Sequence, residues 1–376
     1  LLGGELLVEL SKLKNVTKIF CLVRAKSNIE AECRIASIFA LRNDYYDKSK
    51  VLPIVGDLLD DNLTDILSEN KTLANVDTII HAAANTSFSK IYDQLVEKIN
   101  IGGLHKIIAW AKKLPHLKNF VYAGTASICG SSTNDKIIFE NEFPDKKANH
   151  FVKYTYTKMQ GEIIVQKELP AEKILIVRPS IIMGDSKHTI PRSPVILWAL
   201  ATLNALRLCP VNEKSKLDII PNDFAAEAIL KLLFAKRNHQ VYHISAGTNS
   251  HTTLDNLLNT IAPQYSGLPH FCFISKSLIP QIKKWARGSI EVNAELLEYS
   301  EYLKFWQTEF HKKQNLRIIF AGLEPYLEFI ELSQIFDNTR LLQDTNIEAS
   351  IPAHKYVNRN IEYLKKIDIL DGAFNS

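Results

Sequence analysis

Cysteine is scarce in this chain and poorly spaced for structural use. The five residues, Cys21, Cys33, Cys129, Cys209 and Cys272, are odd in number and far apart, with no Cys-x-x-Cys. That excludes a disulfide framework and a zinc-binding pattern, and predicts a reduced, cytoplasmic protein with no metal site. Cys129 is expected as a small buried hydrophobe. Charge of one sign is also lacking. A net charge of +4 over 376 residues, with lysines scattered rather than blocked, gives no basic surface for nucleic acid. No apolar run is long enough to span a bilayer. The nearest, residues 194–210, is interrupted by Asn204 and Arg207. All-round apolar helices are usually core. Core is therefore its expected role, ahead of an acyl channel or contact with a membrane surface. There is no secretory leader pattern, internal repeat or low-complexity tract. A strand and a glycine-rich turn are missing from the front. Residues 1–10 read as a helix already under way, so a longer native chain is expected. Its earlier part would carry the first glycines of a Gly-x-x-Gly-x-x-Gly turn, and Gly3 would be the last of them. Gly3 is then expected to allow close helix–strand packing beside a pyrophosphate.

What is present is globular: 46% hydrophobic and 23% charged residues, enough for a large core. Apolar strand-like runs at 17–24, 51–58, 76–84, 118–130, 174–184 and 241–245 alternate with helical stretches. Those stretches fall near 29–42, 94–113, 151–161 and 225–234. The alternation predicts an α/β, Rossmann-type doubly wound parallel sheet, with sites at the carboxyl ends of the strands. Past residue 252 the alternation stops. Helices are expected near 254–261, 294–309 and 325–337, in a smaller, mostly helical substrate or cap domain. The expected division is 1–250 for the nucleotide-binding domain, with an excursion at 186–216 towards the substrate, and 251–376 for the cap.

Tyr154 and Lys158 are the most informative pair. Four residues apart, they share one face of a helix, whereas Tyr156 points elsewhere. An ammonium beside a phenol is expected to lower the phenol's pKa and let it exchange a proton near neutral pH. Thr125 and Ser127 bring hydroxyls to the end of the preceding strand. Arg24, just past the second strand and assisted by Lys26, suits the 2′-phosphate of NADP, where an acid would suit NAD. Asp57 is placed for the adenine edge and Leu58 for packing on its ring. Ala82, Ala83 and Ala84 let a ribose approach the backbone. Thr86 and Ser87 open a loop towards the same crevice. His81 is expected to be a packed histidine, and Asn100 a support rather than a reacting group. The polar loop 131–150 is expected to border the substrate entrance.

Taken together, Gly3, Gly56-Asp57-Leu58, His81-Ala-Ala-Ala84, Asn100, Thr125-Ala-Ser-Ile-Cys-Gly130, Tyr154-x-x-x-Lys158 and Arg178-Pro-Ser180 resemble the extended short-chain dehydrogenase/reductases over about residues 1–245. His81-Ala-Ala-Ala-Asn-Thr-Ser-Phe88 and Val177-Arg-Pro-Ser-Ile181 look most like fatty acyl-CoA reductases and thioester-reductase domains. Phe336-Asp-Asn-Thr-Arg340 resembles a C-terminal segment of the former. The resemblance implies a catalytic triad of Thr125, Tyr154 and Lys158, with Ser127 as the substitute hydroxyl. It implies cofactor contacts at Gly3, Arg24, Lys26, Asp57, Leu58, the three alanines, Asn100, Pro179 and Ser180. Substrate contacts are implied at Thr86, Ser87, Ser127 and Ile181. The implied activity is NADP(H)-dependent, less readily NAD(H)-dependent, reduction of a small-molecule or carrier-bound acyl thioester to aldehyde or alcohol. The alternatives are a nucleotide-sugar epimerase or dehydratase, a ketone reductase, and a non-catalytic NADP(H) sensor or scaffold.

Overall fold

The computed structural model describes the whole chain except residues 134, 146, 191–193, 288–291, 293, 311–312 and 376. Two positions of the polar loop 131–150 therefore lie outside the described residues.

Every strand expected from the sequence is present. They are β1 (Ile19–Val23), β2 (Val51–Val55), β3 (Thr78–His81), β4 (Asn119–Ala123), β5 (Ile174–Pro179) and β6 (Val241–Ile244). β6, β5, β4 and β3 form one parallel sheet in that order, with Phe120 opposite Ile174 and Thr78 opposite Asn119. β1 and β2 pair in parallel as a separate ribbon, Ile19 opposite Val51. Pro53 is tolerated there because β2 pairs on one side only. β5 is buried at all six residues, the mark of a central parallel strand covered on both faces.

Alternation along β4 and β5 sorts their side chains between two cores. Val121, Ala123, Leu175 and Val177 face α1 (Leu2–Lys12) and a later helix, Asn222–Phe234. Phe120, Tyr122, Ile174 and Ile176 face the opposite layer. α2 (Asn28–Ala40) starts at Ser27, whose hydroxyl accepts from the Glu30 amide at 3.2 Å. The helix expected at 94–113 is interrupted. α3 (Asp93–Glu97) passes through a π-turn at Lys98–Gly102 into α4 (Gly103–Ala111). α5 (Lys153–Glu168) carries Tyr154 and Lys158. The apolar run at 194–210 becomes α6 (Pro194–Leu206), with Leu197, Trp198, Leu200, Leu203 and Leu206 in the cap's core. α7 is Asn222–Phe234.

The cap departs from expectation. No helix starts at Pro325. That proline lies inside α8 (Lys313–Glu331), which ends before a short strand at Ile335–Phe336. Leu316, Ile319, Phe320, Leu323, Tyr326 and Leu327 form a buried stripe at helical spacing, and this burial outweighs the lost backbone bond. The helix expected over 294–309 is two pieces, Ala294–Leu297 and Ser300–Glu309. Packing also divides the chain elsewhere than at residue 250. Side chains between 183 and 219 share the core of 254–327 and 353–364. Ile335–Phe336 returns to pair with Ile137–Ile138, and α9 (Thr339–Thr345) packs Leu341 against the sheet side.

Phe336-Asp-Asn-Thr-Arg340 acts as a clamp at that return. The Phe336 amide donates to the buried Asp218 carboxylate at 3.0 Å, and Asn338 Nδ2 donates to the Ser245 carbonyl at 2.8 Å. The Arg340 amide donates to Glu140 at 2.9 Å. Among the described residues no helix is long and apolar enough to cross a membrane.

Candidate active site

α5 begins where Val152 leaves an extended conformation, and its buried face is polar: Thr155, Thr157, Lys158 and Glu162. Lys158 is buried, and its ammonium sits over the Tyr122 ring, 4.4 Å from the centroid. Tyr122 donates its hydroxyl proton to the Lys158 carbonyl at 3.2 Å. The ring can pass there only because residue 161 is glycine; a Cβ would lie 2.1 Å from the Tyr122 oxygen.

The expected electrostatics of the pair are corrected by this geometry. Burial pushes the Tyr154 phenol up to about 12, and no lysine offsets it. Burial lowers the Lys158 ammonium to about 7, against the opposing pull of Glu162. The ammonium is engaged by the Tyr122 ring rather than by the Tyr154 oxygen, so the tyrosine stays a protonated acid.

Behind the pair lies a buried ion pair. Arg178 Nε donates to Glu162 Oε2 at 3.0 Å and its Nη2 to Oε1 at 2.5 Å. Arg178 Nη2 also reaches the Glu142 carbonyl at 3.1 Å. The Arg-Pro-Ser motif thus locks β5 to the helix that bears Tyr154. His81 is buried against Tyr122, ring centroids 6.2 Å apart. Burial and the nearby Lys158 lower it to about 3, so it is a neutral packed ring, as expected.

Thr125 and Ser127 are both buried just past β4. The Ser127 amide donates to the Thr125 hydroxyl oxygen at 3.3 Å, leaving the threonine proton for another acceptor. The segment starting at Ser127 packs against α5, the helix that carries Tyr154. Asn100, in the π-turn, accepts from the Asn85 amide at 2.8 Å. It donates to the Asn85 carbonyl at 3.0 Å and to the Thr157 hydroxyl at 2.9 Å. Both its amide protons are therefore committed to protein, and it acts as a strut between the loop and α5. Thr86 is exposed on that loop, and the Ser87 amide donates to Asn85 Oδ1 at 3.0 Å.

The sequence reading missed an aromatic wall beside Tyr154. Phe88 stacks on Tyr154 with centroids 6.3 Å apart, and on Tyr326 of α8 at 5.0 Å. Phe329 leans on Phe88 at 5.5 Å, and Trp198 of α6 meets Tyr326 edge-on at 5.7 Å. Phe88 had a signal, being the last residue of the alanine-rich motif. Tyr326 and Phe329 had none, because they come from the cap.

The cofactor expectations fare unevenly. Arg24 and Lys26 are exposed just past β1, and Arg24 makes no ion pair among the described residues. Ala82 and Ala84 are partly exposed and Ala83 is exposed. A Cβ at Gly3 would meet nothing within 4 Å, so the close packing expected there does not occur. The tight position is Gly4, where a Cβ would lie 3.1 Å from a methyl of Ile38 on α2, a helix–helix contact. Leu58 lies in the core with Leu63 and Leu104, hard against Gly103. Asp57 Oδ1 accepts from the Leu59 amide at 3.0 Å, shaping the turn. The Pro179 carbonyl accepts from the Ala126 amide at 2.9 Å. The Ser180 amide donates to the Ile244 carbonyl at 3.0 Å. Ile181 pairs with Ile219 and packs on the cap's core. The small side chains past β3, the open space at Gly3 and the exposed Arg24 past β1 are of the kind a dinucleotide needs.

Comparison with known proteins places this geometry. Residues 1–229 match the male sterility protein family of NAD-binding domains. Fatty acyl-CoA reductase 1 of Xenopus laevis is 24% identical over 287 residues, 65% of this chain and 56% of that protein. The chloroplastic fatty acyl-CoA reductase 2 of Arabidopsis thaliana is 24% identical over 343 residues, 70% of this chain and 54% of that protein. The chain thus spans about half the length of the curated relatives it matches. Among solved structures, the terminal R domain of the myxalamid biosynthetic pathway superposes with a TM-score of 0.72 at 18% identity. The match covers 97% of this chain and 87% of that one. A thiolation-reductase di-domain from an archaeal non-ribosomal peptide synthetase gives 0.67 at 19% identity, covering 98% and 74%. These likenesses establish the extended reductase fold, and the match over residues 1–229 establishes that the chain belongs to the male sterility protein family.

Proposed function

We propose that the chain is an NADPH-dependent reductase of acyl thioesters. The observation that carries the proposal is a protonated, half-buried Tyr154 at the carboxyl end of a parallel sheet, beside buried Lys158 and walled by Phe88 and Tyr326. A bound nicotinamide supplies the hydride. The protein's part is to hold the carbonyl and meet the charge that grows on its oxygen. Tyr154, a phenol raised to about 12, offers that oxygen a proton at neutral pH. The Thr125 hydroxyl adds a second hydrogen bond. Lys158, lowered to about 7, is partly charged at neutral pH and places positive charge beneath the site. The aromatic wall keeps water from the carbonyl and suits an apolar acyl group. The relatives named for fatty acyl-CoA and the reductase domains of peptide-synthase pathways support a thioester as the substrate class. Loss of thiol after hydride transfer gives an aldehyde, and a second hydride gives an alcohol.

Arg24, exposed and without an ion pair at the end of β1, supports NADPH over NADH. Arg24→Ala is expected to weaken NADPH binding roughly tenfold or more, the worth of a charged hydrogen bond, and to leave NADH unchanged. Titration of both nucleotides by fluorescence checks this; an equal loss for both would remove Arg24 from the 2′-phosphate role. The decisive test is reduction of a panel of acyl thioesters with NADPH, followed by cofactor absorbance and product analysis. Tyr154→Phe should keep NADPH binding and lose most turnover. Undiminished turnover would sink the mechanism.

A further inference from the structure

Among the described residues two arginines are buried outright, Arg178 and Arg207. Arg178 shows what such a group requires: its Nε and Nη2 edge is filled by both oxygens of Glu162. In Arg207 the same edge, Nε and Nη2, has no hydrogen-bond partner, although the residue is 3% exposed. Those two N–H groups point in parallel and match two oxygens of one oxyanion. A buried cation without a counter-charge is costly. The guanidinium is nevertheless held firmly, stacked 4.4 Å over the Phe271 ring, and its backbone is left-handed with φ 61°. The left-handed turn ends α6, and the Arg207 carbonyl accepts from the Cys272 amide at 2.9 Å. Tyr265 faces the same place. Its hydroxyl is buried and unpartnered, and it feels the charge of Arg207. Tyr302 is close as well, but its hydroxyl is already given to the His270 carbonyl at 3.0 Å. Tyr265, Phe271 and Tyr302, the rings around the guanidinium, are each partly exposed, so the site lies just beneath the surface.

We propose that Arg207 and Tyr265 form an oxyanion site that takes a phosphate of the substrate's carrier arm. The guanidinium gives two parallel hydrogen bonds and the phenol a third. The site stands apart from Tyr154, just past the end of the helix that gives Trp198 to the aromatic wall. Arg207 directly follows α6, and the eight residues from Trp198 to Leu206 span roughly 12 Å. A thioester carried on a phosphorylated pantetheine arm holds its phosphate well away from its sulfur, so the phosphate can lie apart from the reacting carbonyl. The source of the phosphate rests on the thioester reading; the oxyanion site itself does not.

Two measurements test the proposal on the intact chain. The first is thermal unfolding with inorganic phosphate, against chloride at equal ionic strength. Phosphate should raise the midpoint of the unaltered protein, fail to do so for Arg207→Gln, and do so less for Tyr265→Phe. No phosphate effect in the unaltered protein overturns the proposal. The second compares an acyl-CoA with the same acyl group on N-acetylcysteamine, which has no phosphate. Arg207→Gln should raise KM for the CoA ester about tenfold or more. Both its kcat and KM for the short thioester should stay unchanged. Equal losses on the two substrates overturn the carrier-arm assignment, as does a phosphate effect with no change in KM. Tyr265→Phe removes a single oxygen and serves if Arg207→Gln does not fold. If the protein binds CoA through Arg207 but reduces no thioester, the reductase reading fails and this site stands.

Discussion

At the scale of single residues, Lys158 is strongly altered by folding. Burial dominates its shift and Glu162 opposes it, so its folded pKa of about 7 lies below its ordinary 10.5. For a lysine with a depressed folded pKa, the penalty is complete below about 7 and fades as pH rises towards 10.5. Lys158→Met should therefore stabilise the free protein at pH 6, by about 2–4 kcal/mol after allowing for the ring beneath it. The gain should shrink steadily above pH 7. Chemical denaturation at several pH values checks this, and a pH-independent difference would refute it. Gly161 gives a second residue-scale prediction. In Gly161→Ala the new methyl would meet the fixed Tyr122 hydroxyl, and about 2–4 kcal/mol of stability should be lost. Tyr122→Phe in the same chain should return part of that loss, since the ring carbon 2.9 Å away remains. No recovery would mean that the strain lies elsewhere. Spacing was enough to place Tyr154 and Lys158 on one helical face. It could not foretell their protonation, because the Tyr122 ring that captures the ammonium comes from another strand.

At the scale of elements, what was legible depended on whether the pattern and the packing agreed. The six strands announced themselves as short apolar runs, and β5 is buried along its whole length. The π-turn at Lys98–Gly102 has no sequence pattern of its own. Asn100 marked it only indirectly, as a polar residue inside an apolar helix. Pro325 misled because proline usually opens a helix, whereas here it interrupts one held by a deep apolar stripe. α5 is the opposite case: its buried face is polar, so amphipathicity could not orient it, and charge does. Glu162 on α5 is bonded twice by Arg178 of β5. Glu162→Gln should cost about 3–5 kcal/mol, because it leaves a guanidinium buried without its anion. The same change removes the pull that supports the Lys158 charge. Loss of the lock between β5 and α5 should shift Tyr154, which α5 carries, and kcat should fall, even though neither Glu162 nor Arg178 touches the substrate. Unfolding curves and steady-state rates on one preparation check both halves.

At the scale of the molecule, the question is how a cap with its own core is held in register with the nucleotide layer. Residues 335–347 answer it by leaving the cap and returning to the sheet. Such a crossing is invisible in a sequence read as consecutive domains; Phe336-Asp-Asn-Thr-Arg340 stood out there only as a resemblance to a C-terminal segment. Asp218 is the junction. Its carboxylate accepts from the Ala246 amide at 2.7 Å, the Gly247 amide at 3.3 Å and the Phe336 amide at 3.0 Å. One side chain thus ties the end of β6 to the returning strand. Gly247, with φ 66°, lets Asn338 press against the same turn, and that asparagine bonds Ser245. Burial raises the Asp218 acid to about 6 despite these donors, which pull the other way. A carboxyl raised in the folded state contributes most below its unfolded pKa, and that contribution is lost as pH rises through about 6. Asp218→Asn turns an acceptor into a donor facing backbone N–H groups, and should cost about 1–3 kcal/mol. Its signature is spatial. Hydrogen exchange should quicken together at Ala246, Gly247 and Phe336, because one junction protects all three. If Phe336 alone loosens while the β6 end keeps its protection, the cap is held by its apolar contacts and not by this carboxylate.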